Sequence, residues 1–354
     1  MPESAVINGA SQNRMAGEHS PASTLSVRLW RLLRLLASLK LTLMGLLGLA
    51  MATLGAARGL DATGWLVAAP LALLAVNLAA AIWVTPLFRV KPALFGFHVG
   101  LMSLFIALAA SQLTRFKGHF EITEGQAFDP ALIKVDRQPF ITPDLPMREA
   151  FHQGSLSVQY APDMVRRETE SLIHFPTGER YQASDGRPLV IGDTRFYLTH
   201  NKGFSLVVDW YGRDGRITQM GTINFPSYPR LLNSQSVQWQ TPGGERLEMR
   251  LRPRTIPREQ AWVLDQAKSA NVVWVTDGHG TEQRLVPGEE LNLANGKLRL
   301  QKLSLWIGYR VFHDPSLFWL FASAIVTLSL LGAHLWIRIT SLQMDPLASE
   351  ERHR

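Results

Sequence analysis

The chain has 354 residues and contains no cysteine. Without cysteine there is no disulfide framework, no Cys-x-x-Cys redox pair and no thiolate metal site. The Cys-x-x-Cys-His motif, to which haem is attached covalently, is absent as well. Because a domain without cysteine needs no oxidative folding, cysteine usage does not indicate the compartment of this protein.

Charged residues are also few, at 18% of the chain against 46% hydrophobic residues, and the formal net charge is +7. Much of the basic excess lies beside long apolar segments, where lysine and arginine set the orientation of membrane helices. The sequence shows no helix-turn-helix or RNA-binding pattern. Nucleic acid is therefore not an expected partner.

Four apolar segments are long enough to cross a bilayer, which takes about 20 residues in a helix. They cover residues 36–56, 64–84, 94–114 and 315–337. We therefore predict a membrane unit at residues 25–114 with three spans, and a fourth span near the C-terminus. A cleaved signal peptide is the alternative for the first segment, but its length and the two spans that follow favour a retained anchor.

Lysine and arginine flank these segments unequally, and this asymmetry predicts the orientation of the chain. The basic residues beside the predicted cytoplasmic ends are Arg28, Arg31, Arg34, Lys40, Arg89, Lys91 and Arg338. We expect cytoplasmic termini, with a disordered tail at residues 1–24 and a short tail at 338–354. Residues 115–314 would then form an exported domain, at the inner membrane of a bacterium.

Residues 115–314 favour β-structure, because β-branched and aromatic residues recur there between turns that contain glycine, asparagine and aspartate. We predict strands at residues 155–160, 195–200, 204–210, 216–224, 272–276 and 297–307, with Asn201-Lys202-Gly203 as a turn. The predicted fold is four transmembrane helices plus a β-rich sandwich or open barrel. No nucleophile elbow, His-Glu-x-x-His or phosphate loop is present, so no catalytic residue is predicted.

Ionisable side chains within a membrane span are costly and are therefore candidates for function. His98 lies about one turn inside the third span and His334 about one turn from the end of the fourth, at similar predicted depth. Neutral imidazole is a suitable axial ligand for haem iron. The alternatives are that either histidine snorkels to the interface or bonds a neighbouring helix. Asn77 in the second span is expected to donate an interhelical hydrogen bond.

His119 and His313 follow the third span and precede the fourth, so both are expected near the external interface. Arg115 and Lys117 are close enough in sequence to pair with the propionates of a haem held there. The alternative is that both are boundary histidines with no ligand.

Several motifs resemble the ResB (CcsB) family of cytochrome c biogenesis proteins, known as System II. The resemblance covers nearly the whole chain after about residue 30. Its motifs are Leu36–Leu43 (LASLKLTL), Phe97–Leu101 (FHVGL), Phe116–Phe120 (FKGHF), Ile122–Gln126 (ITEGQ), Tyr197 with Lys202–Leu206 (KGFSL), and His313-Asp314-Pro315. Two positions depart from the family pattern, since Gln126 stands where Glu is frequent and Ser316 where Gly is frequent. The exported domain is also short for this family.

The resemblance implies a non-catalytic subunit of a cytochrome c synthase. Such proteins work with a CcsA-type membrane partner, which carries a tryptophan-rich haem-handling loop, and together they present haem b for attachment to apocytochrome c. His98 matches the family's intramembrane haem-ligating histidine, with the second axial ligand supplied by the partner. A membrane assembly scaffold that binds a partner protein and no haem is the alternative function, and a membrane-anchored sensor is disfavoured because the tails carry no output domain.

Overall fold

The computed structural model describes residues 21–61, 63–228, 235–251, 261–264, 272–278 and 280–343. The chain divides into two compact units. A helical unit contains the chain up to Arg58, Leu66–Ala109 and the chain from Trp319 onward. A β unit contains Gly59–Trp65 and Ala110–Phe318.

Six helices are described, and four of them are long and apolar enough to cross a membrane. The helices are α1 (Pro21–Leu36), α2 (Leu39–Ala57), α3 (Trp65–Val84), α4 (Leu87–Val90), α5 (Pro92–Thr114) and α6 (Leu317–Gln343). The four candidate spans are α2, α3, α5 and Leu317–Thr340 of α6. This confirms the predicted four-helix membrane architecture. Helix α1 begins inside the segment expected to be disordered, while residues 1–20 and 344–354 of the predicted tails lie outside the described residues.

The break between α1 and α2 is held by a buried asparagine of α3. Nδ2 of Asn77 donates to the backbone oxygens of Leu36 at 2.5 Å and Ser38 at 3.2 Å, and its Oδ1 accepts from the Thr42 hydroxyl at 2.7 Å. Ser38 itself caps α2 by accepting from the Leu41 amide at 3.3 Å. The interhelical hydrogen bond predicted for Asn77 is therefore present, and it supplies partners to carbonyls that a helix end leaves unpaired.

Helices α5 and α6 approach closely at two glycines of α5. A Cβ added to Gly96 would lie 3.0 Å from Leu330, and one added to Gly100 would lie 2.7 Å from the Thr327 hydroxyl. Glycines four residues apart lie on one helix face, and this spacing lets membrane helices pack closely. The Gly96–Gly100 face of α5 is therefore the face that contacts α6.

The β unit consists of antiparallel strands in three sheets. The strands are β1 (Phe116–Thr123), β2 (Lys134–Arg137), β3 (His152–Tyr160), β4 (Arg166–His174), β5 (Arg180–Ser184), β6 (Leu189–Ile191), β7 (Thr194–Tyr211), β8 (Ile217–Asn224), β9 (Gln235–Gln240), β10 (Arg246–Leu251), β11 (Trp262–Leu264), β12 (Val273–Thr276), β13 (Glu282–Leu285), β14 (Glu290–Leu293) and β15 (Gly296–His313). The largest sheet has the path β2-β1-β15-β7-β6, with β14 beside β15 and β8 beside β7. The other two have the orders β13-β12-β10-β9 and β11-β3-β4-β5. This confirms the predicted β-rich domain.

The turn predicted at Asn201-Lys202-Gly203 is wrong, because these residues continue strand β7. The amide of Tyr228 donates to the oxygen of Lys202 at 2.8 Å, so a second segment crosses the strand there. A Cβ on Gly203 would meet the oxygen of Pro226 at 2.9 Å. Glycine is needed at this position for close approach of the backbone, which explains why its turn propensity misled the prediction.

The core of the β unit joins aromatic packing with a buried polar cluster. The rings of Phe120, Phe128, Phe151 and Phe196 pack against one another with centroids 4.9–6.0 Å apart. Next to them, the hydroxyl of Tyr309 from the largest sheet bonds Gln153 at 2.9 Å and Ser171 at 2.7 Å. Gln153 and Ser171 also bond each other, at 2.7 Å. This closed set of hydrogen bonds links two sheets without leaving a buried polar group unpaired.

Candidate functional site

His98 is held in one orientation by its own helix. Its Nδ1 lies 2.8 Å from the oxygen of Leu94, one turn earlier in α5. A carbonyl oxygen can only accept, so Nδ1 must donate, and in the neutral ring Nε2 carries the lone pair. The rings of Phe88 and Phe97 lie 4.6 and 5.0 Å from the imidazole, measured between centroids. His98 is half-buried, so its ring lies in an apolar, aromatic environment while the lone pair on Nε2 can ligate a metal.

His334 lies on a different side of the helix pair from His98. His98 stands two residues from both Gly96 and Gly100, which is about 200° around an α-helix from the face that contacts α6. His334 stands seven residues after Thr327, two turns further along the α5-facing side of α6. The predicted similarity of depth therefore does not bring the two imidazoles to one site.

His119 and His313 lie on opposite faces of the largest sheet. His119 in β1 pairs with Arg310 in β15, whereas His313 pairs with Phe116 three residues away. Side chains alternate between faces along a strand, so an offset of three places them on opposite sides. His313 is buried and its Nδ1 lies 3.0 Å from the Thr194 hydroxyl. His119 is exposed, and its Nδ1 lies 2.8 Å from Oδ1 of Asp136.

An open groove of about 960 Å³ lies on the face of the sheet that carries His119. Its lining includes Lys117, His119, Glu121, Asp136, Tyr197, Thr199, His200, Asn201, Gly308, Arg310 and Phe312. The volume is at the upper end of the range of about 300–1,000 Å³ that is usual for cofactor pockets. Because β1, β15 and β7 are far apart in sequence, the groove exists only once these strands are paired.

Cations gather where β1 follows α5, beside Lys117 of the groove. The guanidinium groups of Arg115 and Arg137 share one neutral acceptor, the side-chain oxygen of Gln112, at 3.1 Å each. The Nε atoms of both arginines are buried without a hydrogen-bond partner among the described residues. Burial lowers the pKa of Lys117, and the charges of Arg115, Arg137 and Arg310 lower this pKa further.

The aspartate of the Asp-Pro motif before the last helix, Asp314, has a structural role. Its Oδ2 accepts from the Ser111 hydroxyl at 2.6 Å, and its Oδ1 accepts from the amide and hydroxyl of Ser316 at 3.1 and 2.6 Å. The carboxylate thus joins the end of α5 to the start of α6. The hydroxyl of Ser316 contributes a hydrogen bond that a glycine at this position would lack.

The Glu-Gly-Gln motif after β1 is structural. Glu124 accepts from the Leu156 amide at 2.7 Å and from the Ser304 hydroxyl at 3.3 Å. Gln126 accepts from the Thr123 amide at 2.8 Å, and Gly125 has a positive φ of 88°. Burial raises the pKa of Glu124, and the hydrogen bonds that it accepts from Leu156 and Ser304 oppose that rise. The motif therefore locks a turn between three strands.

Sequence reasoning identified the four histidines but missed Arg310, Asp136, Arg137 and Phe312. These residues join His119 and Lys117 through strand pairing, for which the sequence carries no local signal. Within the described ranges, no group of three or more histidine, aspartate or glutamate side chains is arranged to hold a metal ion.

The comparisons with known proteins do not establish a family for this chain. No protein-family model matches it, and no curated protein matches it. Among solved structures, one titled "Cytochrome c Heme Lyase CcmF" shows 14% sequence identity over 84% of this chain and 35% of that chain, with a TM-score of 0.28. The chain thus spans about a third of the length of that protein. A TM-score this low does not establish a common fold.

Proposed function

We propose that this chain is a haem-handling subunit of the machinery that attaches haem to apocytochrome c. In this proposal, the helical unit holds haem b as cargo rather than as a resident cofactor. A CcsA-type membrane protein is the partner and supplies the second axial ligand. The β unit faces the outside of the inner membrane, with both termini in the cytoplasm, as the distribution of lysine and arginine favours.

The geometry of His98 carries this proposal. An axial ligand needs a neutral imidazole with one nitrogen unprotonated, and the bond from Nδ1 to Leu94 leaves that lone pair on Nε2. A hydrogen bond to the other ring nitrogen is the arrangement that usually orients a metal-ligating histidine. Phe88 and Phe97 provide flat apolar surfaces beside it. The residues present therefore fit a ligand for haem iron.

The motifs that resemble the ResB family support the same proposal from a second direction. The Phe97–Leu101 motif contains both His98 and Gly100, which contacts α6. The Leu36–Leu43 motif contains the helix break that Asn77 holds. Both motifs thus coincide with features that organise the helical unit around His98. When bound, haem supplies the iron centre and the vinyl groups for attachment, while this chain positions the iron.

An absorption spectrum of the purified full-length protein, co-expressed with a CcsA-type partner, tests the proposal. Wild type is expected to show the Soret and α bands of low-spin haem. His98→Ala is expected to lose most of this signal, and added imidazole is expected to restore it by filling the vacant ligand position.

His334→Ala is the matched control, because it removes a histidine of the same helical unit on another side. It is expected to leave the spectrum unchanged. Haem absent from wild type, with the complex intact by size-exclusion chromatography, would contradict the proposal. That result would favour the alternative function, an assembly scaffold without haem.

A further inference from the structure

The segment after β2, residues 138–143, is held at the level where two candidate membrane spans end. The amide of Ile141 donates to the backbone oxygen of Leu113 at 3.1 Å, and Leu113 is the next-to-last residue of α5. The ring of Phe140 packs edge-on against Trp65, the first residue of α3, with centroids 5.3 Å apart. Tertiary contacts therefore place this segment, called here the Phe140 segment, at the edge of the bilayer.

The Phe140 segment presents apolar side chains outward. Phe140 is 60% exposed and Ile141 is 54% exposed. Aromatic residues at the ends of membrane spans concentrate at the interface between lipid and water. Proline has no amide hydrogen, so Pro139 and Pro143 leave none unpaired, and the Ile141 amide is already bonded. Placing the segment against lipid therefore costs less than it would for an ordinary loop.

Two arginines stand beside the Phe140 segment. Nη2 of Arg137 donates to the backbone and side-chain oxygens of Gln112, at 3.0 and 3.1 Å, and Nη2 of Arg115 shares the side-chain oxygen. The Nε atoms of both arginines are buried and have no partner in the part of the chain that the structure describes. Burial and the charge of Arg137 lower the pKa of Arg115, whereas the charge of Asp314 raises it. The oxygens of Asp314 already accept hydrogen bonds from two serines.

The loop before α3 fixes the position of these cations. Gly64 has a φ of 92°, and its amide donates to Oδ1 of Asp61 at 2.8 Å. A Cβ at Gly64 would lie 1.8 Å from the backbone oxygen of Gln112 and 2.7 Å from Nη2 of Arg137. The start of α3, the end of α5 and the residues after β2 thus converge on Arg137, only three residues before Phe140.

We propose that Phe140 and Ile141 enter the bilayer leaflet next to the β unit, and that Arg115 and Arg137 bind the phosphate of an anionic phospholipid there. Guanidinium groups match the geometry of phosphate, and a negative headgroup would reduce the repulsion between the two arginines. The surface is continuous with Trp65 of a membrane span, which favours lipid over a soluble partner as its occupant. This inference goes beyond the proposed function, because it needs no haem.

The chain contains no cysteine, so a single introduced cysteine can carry a fluorescent label without background. Full-length Phe140→Cys, labelled with nitrobenzoxadiazole, is reconstituted in nanodiscs that contain a phosphatidylcholine with a spin label near the top of its acyl chain. We expect this lipid to quench the label several-fold more strongly than it quenches the same label on Met220→Cys. Met220 is the matched control because it is an exposed apolar residue of β8.

The arginines are tested by titrating phosphatidylglycerol into the full-length protein in detergent, with bound lipid counted by native mass spectrometry. We expect Arg115→Gln/Arg137→Gln to weaken binding at least about tenfold, because a hydrogen bond between charged partners is typically worth that ratio. Arg115→Lys/Arg137→Lys should retain most of the binding, since it keeps both charges. Arg216→Gln, in an exposed turn, should bind as wild type does. Size-exclusion chromatography verifies that each variant is folded.

Three results would overturn the proposal. Equal quenching at Phe140→Cys and Met220→Cys would place the segment outside the bilayer, and a blue-shifted label that lipid does not quench would indicate a covering protein. Equal affinity for phosphatidylglycerol and phosphatidylcholine would remove the role of the arginines. Displacement of phosphatidylglycerol by an equal concentration of inorganic phosphate would indicate a site for free anions instead of lipid.

Discussion

The helical unit and the β unit differ in how many polar side chains they bury. Among the described residues of the helical unit, Asn77 and Thr327 are the buried polar side chains. The β unit buries many more, including Lys202, Tyr309 and Gln153. A helix pairs its own backbone groups, so Asn77 serves the break between α1 and α2, and Thr327 bonds a carbonyl oxygen of its own helix. Stacked sheets lack such internal pairing between layers, and polar side chains join them.

Removing an aromatic ring from the core should affect the β unit most strongly. Phe196 is fully buried among Phe120, Phe128 and Phe151. Phe196→Ala should lower the free energy of unfolding of this unit by about 3–5 kcal/mol, because it opens a cavity. Denaturant titration followed by tryptophan fluorescence measures this loss. Met220→Ala, at an exposed position of β8, should change it by less than about 0.5 kcal/mol.

Lys202 should make the stability of the β unit depend on pH. Its pKa is lowered to about 7, chiefly by burial and to a smaller extent by the charge of Arg166, while Asp185 opposes the shift. Its amino group bonds the Thr169 hydroxyl. Between this value and the ordinary pKa of 10.5, the unfolded chain binds the proton and the folded chain does not. Stability should therefore rise with pH by up to about 1.4 kcal/mol per unit.

The pH dependence is measured by denaturant titration from pH 7 to pH 9. Lys202→Met should flatten the curve. Lys297→Met removes an exposed lysine paired with Glu290 and should leave the slope unchanged. A wild-type curve as flat as that of Lys202→Met would show that the ammonium stays charged in the core.

Tyr309→Phe tests the polar link between two sheets. The change leaves Ser171 and Gln153 each short of one partner, and an unsatisfied buried group costs about 1–3 kcal/mol. The same denaturant titration measures the loss. Tyr197→Phe, on the exposed groove face, should have little effect. Equal losses in both variants would contradict a special role for the buried hydroxyl.

Asn77→Leu gives the smallest expected effect and is the matching test in the helical unit. It removes three hydrogen bonds at the break between α1 and α2. Interhelical hydrogen bonds in membranes are worth about 0.6–1.7 kcal/mol. The loss should appear as a lower Tm in detergent, and Thr53→Val should leave the Tm unchanged because Thr53 bonds only its own helix. If Asn77→Leu lowered the Tm more than Tyr309→Phe does in the same detergent, the comparison between the units would be reversed.

How far each candidate site could be predicted from the sequence also differs between the helical unit and the β unit. His98 was predicted from its place in an apolar segment, because depth in a span follows directly from residue number. Its orientation toward Phe88 and away from α6 was not predictable, since this depends on which face of α5 packs. His119 and His313 were both predicted to lie near the external interface as candidate ligands, and strand pairing places them on opposite faces of the sheet.

The distribution of apolar residues along the sequence was enough to predict four candidate membrane helices around a large β-rich domain, because about 20 consecutive apolar residues satisfy a bilayer locally. Residue types also indicated five of the fifteen described strands, with β7 divided by the turn wrongly placed at Lys202. The tertiary structure decided which residues meet. Phe312, Arg310 and Tyr197 join Lys117 and His119 through pairings that span the length of the domain, and such register is set by packing of whole sheets rather than by any local pattern.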